Sequence, residues 1–129
     1  MSFVAVRAAA RTADFLAVRA GVRWAIELRT SSRPLQSNGA FVPIGAKPLP
    51  YPDLESYFAL TWREKRGQLE STMAAEDCAR GLLLIAVEGK AGPAWASALK
   101  RAWESAGRPA AIAFGVLSAR AFRTFPPTA

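Results

Sequence analysis

The sequence predicts a single α/β domain, with α+β as the alternative class, built on a mixed central sheet flanked by helices. Residues 22–29 alternate between apolar and polar side chains, which is typical of a strand with one buried face. Residues 82–87 are all apolar, the pattern of a strand buried on both faces. An amphipathic helix over 93–106 connects that strand to a second apolar run at 110–117, which predicts a C-terminal βαβ unit. The length fits one domain spanning 1–129.

The N-terminal part is predicted to contain a short strand over 3–6 and an alanine-rich helix over 8–20. Gly21 stands where a glycine commonly follows the end of a helix. After the alternating strand and a polar loop, residues 40–44 predict a further strand. Pro43 places that strand at an edge of the sheet, because proline cannot donate a backbone hydrogen bond.

A helical insertion over 54–80 is predicted between the strands. Asp53 can cap its first helix, over 54–66, and a second short helix follows over 73–80. The tail over 118–125 fits either a strand or a helix.

Composition excludes several classes of site. The chain has no histidine, so it has no Ser–His or Cys–His nucleophile pair, no imidazole metal ligand and no histidine pH switch. One cysteine excludes an internal disulfide and a thiolate zinc cage. No apolar run approaches the ~18 residues that span a bilayer. We therefore expect an intracellular, cytoplasmic protein with no integral membrane association.

The net charge of +7 is concentrated at both ends of the chain. Residues 1–50 carry +5, residues 51–90 carry −2 and residues 91–129 carry +4, and 13 of the 17 basic residues are arginine. This pattern predicts a nucleic acid as partner, because arginine binds phosphate with two donors and stacks on bases. A GC-rich coding sequence would give the same arginine content. The candidate nucleic-acid-binding residues are Arg7, Arg11, Arg23, Arg29, Arg120 and Arg123.

One constellation has the composition of a catalytic site. Glu88 and Lys90 point to the same side of the extended chain where the apolar strand ends, and Asp53 lies upstream. Two carboxylates are ligands that Mg²⁺ prefers, and a neighbouring lysine can stabilise developing phosphate charge. The structural alternative is a helix cap at Asp53 and a solvated strand end at Glu88.

On Pro52-Asp53 and Glu88-Gly89-Lys90 the chain resembles the PD-(D/E)xK nucleases, a family that includes Holliday-junction resolvases and many restriction enzymes. The resemblance implies a core of helix, three strands, helix and strand. It also implies that Asp53 and Glu88 bind Mg²⁺ and that Lys90 assists catalysis. Asp14 would be an optional further acid.

Two functions follow. The first is a small basic nucleic-acid-binding protein, either an active Mg²⁺-dependent nuclease or a degenerate relative of one. The second is a non-catalytic protein-interaction module, such as an adaptor, an inhibitor or a subunit of a larger assembly. In the second, the basic ends and the helix over 54–66 would supply the contacts. The sequence leaves open whether the chain is an enzyme.

Overall fold

A computed structural model describes residues 4–8, 14–43, 45 and 51–127 of the chain. It confirms a small single α/β domain with a mixed sheet and a C-terminal βαβ unit. In chain order the described elements are β1 (Val4–Ala8), β2 (Phe15–Arg19), β3 (Val22–Thr30), α1 (Leu54–Ala75), β4 (Arg80–Ala86), α2 (Pro93–Ser105), β5 (Ile112–Ser118) and β6 (Ala121–Phe125).

The six strands form one sheet in the order β1-β2-β3-β4-β5-β6. The first three are antiparallel, β3, β4 and β5 run parallel, and β6 returns antiparallel to β5. Parallel neighbours need a crossover connection, which α1 and α2 provide. Thr30, Ala86 and Ser118 therefore end their strands at one side of the sheet, which we call the C-terminal edge.

Both described helices cover the same face of the sheet, which we call the helix face. The large core cluster combines helix residues such as Phe58 and Trp95 with strand residues such as Ala25, Ile85 and Phe114. A smaller hydrophobic cluster lies on the opposite face. Its described members are all strand residues, namely Ala17, Trp24, Ile26, Leu82 and Ala113. Alternation along β3 places Ala25, Glu27 and Arg29 on the helix face.

The predicted helix over 8–20 is wrong where it can be checked, because Phe15–Arg19 is strand β2, and residues 9–13 lie outside the described part. A tight turn at Ala20 (φ 50°) and Gly21 (φ 78°) joins β2 to β3. Positive φ at both central residues suits a two-residue hairpin turn. Pairing with the nine-residue β3 thus overrides the helix propensity of the alanines.

Helix α1 is one continuous helix of 22 residues rather than the two predicted helices. Gly67 is exposed within it, and the buried stripe continues past that position to Leu69 and Thr72. A glycine in a helix costs about 1 kcal/mol relative to alanine, which the packing of these residues outweighs. Neither α1 nor α2, the helices of the described residues, is long and apolar enough to cross a membrane.

The strand predicted over 40–44 is reduced to isolated bridges, Leu35 with Phe41 and Ala40 with Asp53, and Ile44 lies outside the described residues. The strands predicted at 22–29, 82–87 and 110–117 correspond to β3, β4 and β5 within about two residues at each end, and the tail is strand β6.

Candidate functional site

Asp53 serves as the N-cap of α1. Its Oδ1 accepts hydrogen bonds from the Ser56 backbone N–H and the Ser56 hydroxyl, both at 2.8 Å. Glu88 and Lys90 are exposed beyond the end of β4. No hydrogen bond or ion pair joins Asp53 to either of them in the part of the chain that the structure describes. The helix cap is a sufficient structural reason for Asp53.

A different pair of carboxylates lies where β2 begins. Phe15 pairs with Ile26, so Asp14 and Glu27, one position further along, are cross-strand neighbours. Oδ2 of Asp14 accepts a hydrogen bond of 2.7 Å from the Leu28 backbone N–H, which fixes that side chain against β3. The antiparallel pairing of β2 and β3 therefore brings together two acids that are 13 positions apart in the sequence.

Glu27 is buried beneath α1, with 3% of its surface exposed. Its Oε2 atom is buried and has no hydrogen-bond partner among the described residues. Desolvation and the neighbouring Asp14 raise the pKa of Glu27 from 4.5 to about 7, although Lys65 acts in the opposite direction. A buried carboxylate with an unpartnered oxygen is costly. Such groups are concentrated at functional sites.

Helix α1 brings a lysine to this carboxylate. Nζ of Lys65 lies 4.0 Å from Oε1 of Glu27, and about one third of the lysine side chain is exposed. Thr61 and Lys65 are one helical turn apart and lie on the face of α1 that covers β3. The two acids and Lys65 form a polar cluster, which we call the carboxylate site.

Arg29 lies beside this cluster, two residues after Glu27 on the same face. Its guanidinium donates to Oε2 of Glu64 at 2.8 Å and to the Thr61 hydroxyl at 3.5 Å. The same group lies 5.2 Å from the centre of the Tyr57 ring. Arg29, predicted to contact nucleic acid, is thus engaged in connecting β3 to α1.

The other predicted nucleic-acid contacts fall in different places. Arg23 lies 3.8 Å from Glu76 in an ion pair, Arg7 belongs to β1 and Arg11 lies outside the described residues. Arg120 and Arg123 line a groove of about 440 Å³ together with Lys90. We call it the basic groove; Gly89, Ala91, Ala119 and Ala121 complete its lining.

The donor chemistry of the carboxylate site fits a hard cation. The described residues contain no cluster of three or more histidine, cysteine, aspartate and glutamate side chains placed to hold a metal. Two carboxylates are nevertheless enough for Mg²⁺, which keeps several waters and often takes further oxygens from a substrate phosphate. The unpartnered Oε2 of Glu27 is a carboxylate oxygen, the type of atom that Mg²⁺ takes as a ligand. Asp14 and Glu27 are therefore the residues that could hold the metal.

Sequence reasoning missed this cluster, although one signal for it was present. Glu27-Leu28-Arg29 is an acid-x-base triplet on a strand, like Glu88-Gly89-Lys90, and Asp14 precedes it. The alternation of β3 showed that Glu27 is on its polar face. It could not show that α1 covers that face.

Comparisons with protein-family models, with curated proteins and with solved structures give no match for this chain.

Proposed function

We propose that the chain is a metal-dependent phosphodiesterase that acts on nucleic acid at the carboxylate site. The observation that carries this proposal is Oε2 of Glu27, a buried, unpartnered carboxylate oxygen beside a second acid, Asp14. The buried Glu27 carboxylate and the exposed Asp14 carboxylate repel each other, and one lysine at 4.0 Å from Glu27 compensates only part of their charge. A divalent cation bound there would neutralise the remaining negative charge.

The order of elements supports the proposal. Strands β1, β2 and β3, helix α1 and strand β4 follow one another in the order of the last five of the six elements that the nuclease resemblance implies, and the helix expected before them is not among the described residues. On this assignment Asp14 and Glu27 take the metal-binding roles that the resemblance implies for Asp53 and Glu88. The acid-x-base triplet is then Glu27-Leu28-Arg29.

The proposed reaction is hydrolysis of a phosphodiester. The oxygen of a water forms a bond to phosphorus, the bond from phosphorus to the leaving oxygen breaks, and that oxygen gains the proton that the water loses. A bound Mg²⁺ or Mn²⁺ supplies Lewis-acid polarisation and a lowered pKa for its water. Asp14 and Glu27 would hold this ion. Lys65, which is partly open to solvent, balances negative charge on the phosphoryl oxygens. Arg29 positions α1 over the cluster through Glu64.

The charge of the chain supports a polyanionic substrate. The net charge is +7, and three cations, Lys90, Arg120 and Arg123, line one groove. Basic surfaces bind nucleic acid by displacing the counterions of its phosphates.

A cleavage assay tests the proposal. Wild-type chain is incubated with single-stranded, duplex and branched DNA and with RNA, in Mg²⁺, Mn²⁺ or EDTA. We expect metal-dependent cleavage that Glu27→Gln and Asp14→Asn reduce at least ~100-fold, the size of effect that loss of a catalytic electrostatic group commonly has. Glu70→Gln, an exposed acid on α1 paired with Arg66, is the matched control and should cleave normally.

The alternatives correspond to other outcomes of the same experiment. Binding without cleavage of any substrate would identify a degenerate relative. Neither binding nor cleavage would favour the non-catalytic protein-interaction module.

A further inference from the structure

We propose that the basic groove binds the phosphodiester backbone of a nucleic-acid strand, at the C-terminal edge of the sheet and apart from the carboxylate site. The identity of the ligand rests on the proposed function, whereas the groove itself is defined by its own residues. Lys90 comes from the connection between β4 and α2, and Arg120 and Arg123 come from the β5–β6 hairpin.

The three cations of the groove are not neutralised within the described part of the chain. Lys90, Arg120 and Arg123 have no carboxylate partner there. Other surface arginines are paired, in contrast, as Arg101 is with Glu55 and Arg108 with Glu104. Three uncompensated charges around one concave surface favour an anion that presents several charges in a row.

The backbone that carries Lys90 is held in place. Gly89 has a φ of 148°, and a Cβ at this position would collide with the carbonyl oxygen of Leu35. The Leu35 N–H also donates a 2.7 Å hydrogen bond to the carbonyl oxygen of Glu88. These contacts fix the loop before any ligand arrives, so that binding costs little ordering of the backbone.

The start of α2 adds positive potential beside the groove. Gly92, its N-cap, follows the groove residue Ala91 directly and makes no side-chain capping hydrogen bond. The first N–H groups of the helix therefore have no side-chain acceptor at the N-cap, and the helix dipole is positive at this end.

Arg123 pairs across the strands with Val116 and so lies on the helix face, where α2 packs.

The register of the sheet gives the distance between the groove and the carboxylate site. Glu27 lies in register with Leu83 on β4, which lies in register with Phe114 on β5. Two strand spacings of ~4.8 Å and about five residues of ~3.3 Å separate this row from the β5–β6 turn, so the two places are roughly 20 Å apart. Because that line passes through buried Leu83 and Phe114, a strand that contacts both places must go around the core and needs at least about six nucleotides at the ~3.4 Å rise of a duplex strand.

The test compares two triple variants with the same change of charge. One replaces the groove residues, Lys90→Gln with Arg120→Gln and Arg123→Gln, and the control replaces exposed cations of α2 and its C-terminal end, Lys100→Gln with Arg101→Gln and Arg108→Gln. Binding of a labelled 20-nucleotide DNA is measured by fluorescence anisotropy in EDTA over a series of salt concentrations. Thermal unfolding confirms that both variants are folded.

We expect the groove variant to bind at least ~10-fold more weakly, with a salt slope reduced by about two, because each single-strand phosphate contact contributes ~0.7 to the slope. The control should change affinity by about twofold at most. Glu88→Gln, which removes an acid next to the groove, should bind more tightly. DNAs shorter than about six nucleotides cannot contact both places, so the wild type and the groove variant should cleave them at the same rate.

Equal losses in the two triple variants would overturn the proposal, as would an unchanged affinity in the groove variant or absence of DNA binding by the wild type. Polyglutamate that competes as well as unlabelled DNA would also overturn it, by indicating an acidic protein as the ligand. Because EDTA prevents cleavage, a chain that binds through the groove but never cleaves DNA would contradict the proposed function and leave the groove intact.

Discussion

Nζ of Lys65 lies 4.0 Å from Oε1 of Glu27, so a lysine of α1 reaches a carboxylate that the same helix buries against β3. The other oxygen of that carboxylate has no partner among the described residues. Lys65 therefore offsets the negative charge of Glu27 but leaves its Oε2 atom without a hydrogen-bond partner. This half-satisfied pair is the reason to place the chemistry on the helix face.

Glu27 is expected to destabilise the metal-free fold above neutral pH. Burial, followed by Asp14, raises its pKa from 4.5 to about 7, so between these values the native state binds more protons than the unfolded state. The free energy of unfolding is then unimpaired below about pH 4.5. It falls as the pH rises from there through about 7 and levels off at higher pH. The shift corresponds to roughly 3 kcal/mol.

Glu27→Gln removes that titration. In EDTA at pH 8, we expect the variant to be more stable than the wild type, by up to ~3 kcal/mol, with no such gain at pH 4.5. Urea unfolding at the two pH values measures the difference. Glu70→Gln, more than half exposed, should show no gain that depends on pH. A gain of equal size at both pH values for Glu27→Gln would contradict the assignment.

Lys65→Gln should have the opposite effect on stability. It removes the cation that lowers the pKa of Glu27, so at pH 8 we expect a loss of about 1 kcal/mol. In a double-mutant cycle with Glu27→Gln, the loss should largely disappear, because the pair interacts directly. Arg63→Gln, an exposed cation two positions earlier on α1, is the control. A full loss that persists without the Glu27 carboxylate would show that Lys65 acts on stability by another route.

The Arg29–Glu64 pair should contribute more to stability than a surface ion pair does. Arg29 is partly buried, contacts Glu64 at 2.8 Å and lies over the Tyr57 ring. We expect Arg29→Met to lower the free energy of unfolding by about 1–2 kcal/mol, because it removes the guanidinium from the buried Tyr57 ring and from the buried Thr61 hydroxyl. Arg66→Met removes an exposed pair with Glu70 and should cost under ~0.5 kcal/mol. If Arg29→Met and Arg66→Met lowered the free energy of urea unfolding equally, Arg29 would contribute no more to stability than a surface ion pair.

Two glycines should respond oppositely to alanine. Gly67 lies within α1 with nothing within 4 Å of an added Cβ, so Gly67→Ala should stabilise the fold by about 0.5–1 kcal/mol. At Gly81 in β4 the same atom would lie 2.8 Å from Sδ of Met73 and 3.2 Å from Ile112. Gly81→Ala should therefore lower the melting temperature. A rise at Gly81 would indicate that α1 packs less closely on β4 than described.

The periodicity of apolar residues predicted the central strands and α2 but failed in the N-terminal part of the chain. The alternation of β3, the apolar runs of β4 and β5 and the stripe of α2 are local patterns, and each predicted its element. Residues 15–19 were misassigned because hairpin pairing with β3 is not visible in alanine-rich composition. The continuity of α1 past Gly67 likewise depends on packing of Leu69 in the core.

The candidate site was harder to predict for the same physical reason. Asp53 and Glu88-Gly89-Lys90 could be recognised by residue type alone, but Asp53 is engaged in a helix cap. Glu27 and Lys65 are 38 positions apart, and they meet only because α1 crosses over β3. No local pattern encodes that crossing.

Cleavage by the Glu27→Gln variant tests the central proposal most directly. Wild type, Glu27→Gln and the Glu70→Gln control are compared on the best nucleic-acid substrate in Mn²⁺, with DNA affinity measured in parallel in EDTA. We expect Glu27→Gln to bind DNA like the wild type and to cleave it at least ~100-fold more slowly, while the control cleaves normally. Cleavage by Glu27→Gln at the wild-type rate, or no metal-dependent cleavage by the wild type on any substrate, would contradict a catalytic carboxylate site at Asp14 and Glu27.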